Sequence, residues 1–97
     1  MPDRRMLYLI SYDISSEKKR NRTASLLEDV GIRVQYSLFE CFLSADQKTI
    51  LESKLKRCIN PDTDSIRLYP ICSSCSSRAL ILGKKVLFDD PLPVLFV

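Results

Sequence analysis

Asp13 is the residue of this chain whose type and place point most directly to chemistry. It follows the apolar run 7–10 at the C-terminal end of a strand-like segment, where a carboxylate is costly unless solvated, paired or bound to metal. A turn-forming Asp or a helix N-cap explains the same residue without chemistry. Tyr12 beside it and a basic stretch behind it add weight to a functional role. Two copies of Asp13 facing each other across a twofold axis would make a carboxylate pair for a divalent ion. Magnesium suits such a pair because it keeps several waters and needs few protein ligands.

The second constellation is Lys18-Lys19-Arg20-Asn21-Arg22. Cationic side chains and the amides at a helix start both attract phosphate, although a charge run is also what a solvated helix face looks like. Arg33, Gln35, Ser37 and Phe39 follow at alternate positions. Aromatic and hydroxyl residues on a sheet face stack bases or orient a phosphate, and they equally build a dimer core.

Cys72-Ser-Ser-Cys75 has the spacing of a zinc or redox pair. A structural zinc site usually takes four Cys or His ligands, and the chain has four cysteines and no histidine. Cys41 and Cys58 stand alone rather than as a second such pair. A redox pair normally opens a helix after a strand, whereas this one reads as a Ser-rich turn. The expectation is unpaired small residues in a turn, reduced in a cytoplasm.

These residues need a scaffold. The 97 residues allow one domain, spanning 1–97 with its core at about 7–83 and a tail at 84–97. The chain is 45% hydrophobic and 28% charged, an ordinary globular balance. A net charge of +3 does not by itself establish a nucleic-acid partner. No apolar run approaches the roughly 20 residues that span a bilayer, and the N-terminus lacks a signal-peptide core, so the expected location is cytoplasmic.

Residues 7–14 are apolar on both parities, as in a central strand buried on both faces. Ser15 or Ser16 then caps a helix with Glu17 in its first turn; Thr23, Leu26, Leu27 and Val30 recur at helical spacing, and Gly31 reads as the C-terminal cap. Residues 32–43 read as one long strand with room for a bulge. Ser44-Ala-Asp-Gln47 has capping-box spacing and opens a helix with Ile50, Leu51, Leu55, Cys58 and Ile59 on one face. Strands follow at 65–71 and 78–82, and 94–97 ends the chain as a short apolar strand.

Two strand-helix-strand units in series give an α+β, ferredoxin-like βαββαβ sandwich, with both helices on one face of a four-stranded antiparallel sheet. The other face then lacks a cover, which predicts a partner, most simply a second copy in a twofold homodimer. The C-terminal strand is expected to add to the edge of that copy's sheet.

Taken together, Tyr8-Leu-Ile-Ser-Tyr12-Asp13-Ile, the basic stretch 18–22, Gly31-Ile-Arg33-Val-Gln35-Tyr-Ser37-Leu-Phe39-Glu40 and Asp64-Ser65-Ile-Arg67-Leu-Tyr69 resemble the CRISPR-associated protein 2 family over residues 7–83. The resemblance implies a ferredoxin-like homodimer whose C-terminal strand packs on the opposite sheet. It implies a metal-dependent endonuclease acting on single-stranded RNA or double-stranded DNA, with Asp13 as the magnesium ligand at the dimer interface. Tyr12, Arg20, Arg22, Arg33, Ser37 and Phe39 fall where the family places residues near the cleft or nucleic acid. It also implies a partner, the integrase subunit CRISPR-associated protein 1, in spacer acquisition, a role in which nuclease activity is dispensable in some systems. The Cys72–Cys75 turn and the Pro-rich tail are not family features.

Three readings stay open. In the first, Asp13 of both protomers holds magnesium, Tyr12 and Ser37 join it in the site, and Lys18, Lys19, Arg20, Arg22, Arg33 and Phe39 bind nucleic acid. One carboxylate per chain and no histidine base imply slow turnover. The second is a DNA-binding assembly subunit that bridges integrase dimers without catalysis. The third is a toxin-like ribonuclease of related fold that needs no integrase.

Overall fold

A computed structural model describes residues 5–83 and 95–96 of the chain. The elements run β1 (Arg5–Asp13), α1 (Glu17–Glu28), β2 (Gly31–Gln35), β3 (Leu38–Ser44), α2 (Ala45–Lys56), β4 (Ser65–Ile71), α3 (Ser73–Ser76), β5 (Leu80–Ile81) and β6 (Leu95–Phe96). The first four strands to join one sheet lie in the order β2-β3-β1-β4, antiparallel throughout. With two helices on one face, this is the expected ferredoxin-like sandwich.

Strand alternation decides what each face carries. On β1, Ile10, Tyr12 and the following Ile14 turn into the core, where they meet Phe39, Cys41 and Leu43 of β3. Ala24 and Leu27 of α1 and Leu51 and Leu55 of α2 close that core from one side. Both helix starts match their sequence signals. Ser16 caps α1 by accepting from the Lys19 amide at 3.3 Å. Ser44 and Gln47 form the full capping box of α2, with bonds of 3.2 and 2.9 Å.

Several expectations need correction. Residues 32–43 form two strands, not one: β2 and β3 are a hairpin turning at Tyr36-Ser37, with an irregular register between Arg33 and Gln35. No residue of the turn has positive φ, so it lacks the Gly or Asn-Gly signal that marks primed hairpin turns. Tertiary bonds fix it instead: the Tyr12 amide donates to the Ser37 carbonyl at 3.1 Å and the Tyr12 hydroxyl to the Tyr36 carbonyl at 3.3 Å.

Gly31 does not cap α1, whose C-cap is Asp29. It opens β2, where a Cβ would collide with the Cys41 Sγ and the Glu40 carbonyl oxygen. Ile50 is 57% exposed and stands off the buried face of α2. The strand expected at 78–82 is reduced to β5, which lies outside the main sheet and pairs in parallel with β6 of the same chain, Leu80 with Leu95 and Ile81 with Phe96. The rest of the tail at 84–97, and its expected contact with a second copy, lie outside the described residues.

Candidate active site

The sheet's second face carries Asp13. Along β1 the residues opposite in parity to the core are Leu7, Leu9, Ser11 and Asp13, and the register sets Leu38 and Arg67 beside Ser11, Glu40 and Tyr69 beside Leu9, and Ser65 beside Asp13. Neither α1 nor α2 covers this face, since both pack on the other side. Asp13 is exposed and has no hydrogen-bond or ion-pair partner among the described residues. A carboxylate left unpaired at a strand end is free to accept a cation or a donor from outside.

The loop that follows Asp13 is tied down on both sides. Arg20 turns back so that its Nη1 donates to the Ile14 carbonyl at 3.0 Å and the Ser15 carbonyl at 3.2 Å. From the α2–β4 connection, Asp64 accepts from the Ser15 amide at 3.2 Å, the Asn60 amide at 2.9 Å and the Thr63 hydroxyl at 3.1 Å. The Asn60 amide above all holds the Asp64 carboxyl below the usual carboxylate range, with smaller help from Ser15, Thr63 and the charge of Lys19 against partial desolvation. Arg20 is thus engaged with the backbone next to Asp13. Lys18 and Arg22 are exposed, and among the described residues neither forms an ion pair or hydrogen bond.

Other candidates lie elsewhere. Tyr12 points to the helix side, 8% exposed, stacked on Phe39 with ring centroids 6.3 Å apart. Phe39 is fully buried, so no ring face is open to a base. Arg33 lies over that ring at 5.2 Å and pairs with Glu28 of α1 at 3.5 Å. Ser37 sits in the hairpin turn and lines a shallow concavity with Arg33, Val34, Gln35 and Tyr36. The structure therefore sets Asp13 on one face of the sheet and the cluster of Tyr12, Phe39 and Arg33 on the other.

Magnesium fits this donor set in kind. Asp13 offers hard oxygen ligands, and the ion completes its shell with water. Among the described residues of one chain no group of three or more His, Cys, Asp or Glu converges, so a single protomer supplies one carboxylate.

The family model for CRISPR associated protein Cas2 matches residues 6–79, from the start of β1 past the end of β4. The chain belongs to the CRISPR associated protein Cas2 family. It is similar to the CRISPR-associated endoribonuclease Cas2 1 of Chloroflexus aurantiacus, 44% identical over 91% of this chain and 90% of the relative. It also resembles the crystal structure of Streptococcus pyogenes Cas2, with a TM-score of 0.63 and 36% identity over 66% of this chain and 83% of that one. A chain of a partial Cas6-RT-Cas1--Cas2 complex aligns with a TM-score of 0.65 and 33% identity, covering 76% of this chain and 81% of that chain.

The sequence reading used Asp64, Arg67 and Tyr69 for the family resemblance but gave them no place in the site. Arg67 and Tyr69 share the uncovered face with Asp13, and Asp64 fixes its loop. The signal for the first pair was present: Ile66 and Leu68 turn inward, so Ser65, Arg67 and Tyr69 must face outward with Asp13. The role of Asp64 was not legible, because its bond to Ser15 spans 49 positions.

Proposed function

We propose that this Cas2 family protein is a metal-dependent endonuclease of the CRISPR adaptation module, acting as a homodimer in which Asp13 of each protomer holds magnesium. The observation that carries the reading is the Asp13 carboxylate, exposed and unpaired on the uncovered sheet face. The naming of a relative as an endoribonuclease supports it.

A bound magnesium ion would lower the pKa of an attacking water and offset charge on the scissile phosphate. Asp13 supplies the carboxylate that holds the ion, and Arg20 and Asp64 hold the backbone behind Asp13 in place. Arg67 lies on the same face as a cation for the phosphodiester backbone. Lys18 and Arg22 extend that attraction along α1, giving binding that weakens with salt. Tyr12, Phe39 and Arg33 act from the far side by fixing the hairpin turn that carries Ser37.

A second reading has its own support. The similarity to a chain in a Cas1--Cas2 complex favours a subunit that holds DNA for an integrase, a task that needs the basic helix and not the metal.

The test is cleavage of labelled RNA and duplex DNA with and without magnesium, by the native protein and by Asp13→Ala, at matched dimer content. Asp13→Ala is expected to lower cleavage at least a hundredfold while leaving nucleic-acid affinity within about twofold, since an interaction acting on the transition state is lost. Cleavage by Asp13→Ala equal to that of the native protein would sink the nuclease assignment, and so would a dimeric native protein that cuts nothing.

A further inference from the structure

The Cys72–Cys75 segment plays no part in the site above, and its geometry differs from the loose turn expected. Strand β4 ends at Ile71, Cys72 is the extended residue capping the one-turn helix α3 (φ −66°, ψ 163°), and Cys75 lies inside that turn. This is the strand-then-helix setting in which a pair of thiols separated by two residues does redox chemistry. Side chains three apart on a helical turn are neighbours, and a disulfide needs its Cβ atoms only slightly closer.

Both thiols are exposed, whereas the other two cysteines are shielded. Cys41 is fully buried, its thiol pushed up to about 12 by burial and by the neighbouring Glu40 charge. Cys58 is buried and donates to the Lys54 carbonyl at 3.4 Å. The exposed pair is asymmetric. The Ser74 hydroxyl, 3.3 Å from the Cys72 Sγ, together with the Cys75 amide and thiol, lowers the Cys72 thiol to about 7. Cys75 is raised, because its proton is shared toward Cys72 and a thiolate there would face a like charge. Buried Ser76, at the end of the same turn, donates to the Ser73 carbonyl at 3.1 Å and holds the turn in shape.

We propose that Cys72 and Cys75 form a reversible dithiol–disulfide couple that exchanges with low-molecular-weight disulfides of the glutathione type. The Cys72 thiolate attacks one sulfur of the small disulfide, forming a mixed disulfide and releasing one small thiolate, which takes a proton from water. Cys75 then gives its proton to solvent and attacks the Cys72 Sγ, forming the protein disulfide and releasing the second small thiolate. Two protein thiols are oxidised and one small disulfide is reduced to two thiols. The product closes α3 covalently, at the point where the chain leaves β4 for β5.

At pH 7 a thiol near 7 is half ionised, against a few per cent for an ordinary one near 8.5. Lower intrinsic nucleophilicity takes back part of that gain, leaving Cys72 about fourfold faster than an ordinary exposed thiol. Cys75 is shifted the other way, so the Cys72 thiolate is the attacking group of the pair.

The experiment exposes the reduced full chain to glutathione disulfide at pH 7 and counts free thiols and adducts by intact mass, with folding checked by circular dichroism. The native protein is expected to lose two thiols together without retaining an adduct. Cys75→Ser is expected to trap one glutathione on Cys72, and Cys72→Ser, which leaves Cys75 close to an ordinary exposed thiol, to react about fourfold more slowly. Stable adducts on the native protein, or equal rates for the two Ser variants, would overturn the proposal.

Discussion

Tyr12 and Asp13 are adjacent in the chain and serve opposite faces of the sheet, and the difference is measurable at the level of single side chains. Phe39 makes the sharper case, since its ring is enclosed by Tyr12 on one side and Arg33 over another. Phe39→Leu is expected to lower stability by about 1–2 kcal/mol in urea denaturation, the range for a shape change in a packed core. Under native conditions its affinity for single-stranded RNA should stay within twofold. A loss of about tenfold with stability intact would instead restore Phe39 as a base-stacking residue. Glu40, on the Asp13 face, is a half-buried carboxyl whose pKa is raised from 4.5 by desolvation. A carboxyl raised in the folded state binds its proton more tightly there than when unfolded, so its ionisation costs stability as pH climbs past 4.5. Glu40→Gln removes that cost. Its melting temperature relative to the native protein should rise between pH 4 and pH 7, and a flat difference across that range would refute the assignment.

At the scale of elements, most of the fold was legible because local signals and burial agreed. The capping box at Ser44, the helical spacing of Thr23 and Leu27, and the two-sided apolar run of β1 all name their elements. The hairpin was not legible, since residues 32–43 are continuous β-formers and the bonds that bend them come from Tyr12, 24 positions away from Tyr36. Gly31 misled for a related reason: a glycine after a helix suggests a cap, yet this one exists to let β2 approach β3 at Cys41. Gly31→Ala tests that account. The added methyl meets a carbonyl that cannot retreat without breaking the ladder, so a loss of about 1–3 kcal/mol is expected by thermal or chemical denaturation. The double variant Gly31→Ala/Cys41→Ala should recover only part of it, because the Glu40 carbonyl remains in the way. A neutral Gly31→Ala would refute the close approach at Cys41.

The whole molecule is where the site was least legible, because one carboxylate on one face gains its meaning from what lies opposite. Leu9 and Leu38 are incompletely buried on the Asp13 face, with Tyr69 48% exposed beside them. A second copy packed there would bury these side chains and bring its own Asp13 to the same interface. Leu9→Glu separates this arrangement from pairing through another surface. The charge would be buried without a partner and close to Glu40, and an uncompensated buried charge costs about 3–5 kcal/mol. That weakens association more than a hundredfold. The expected result by sedimentation is a folded monomer in which magnesium-dependent cleavage is lost although Asp13 is intact. The native protein diluted below its dissociation constant should lose activity with the square of protomer concentration, since each active unit then needs two chains to meet. A Leu9→Glu variant that stays dimeric would place the interface elsewhere, and linear dilution throughout would mean that one chain cuts alone.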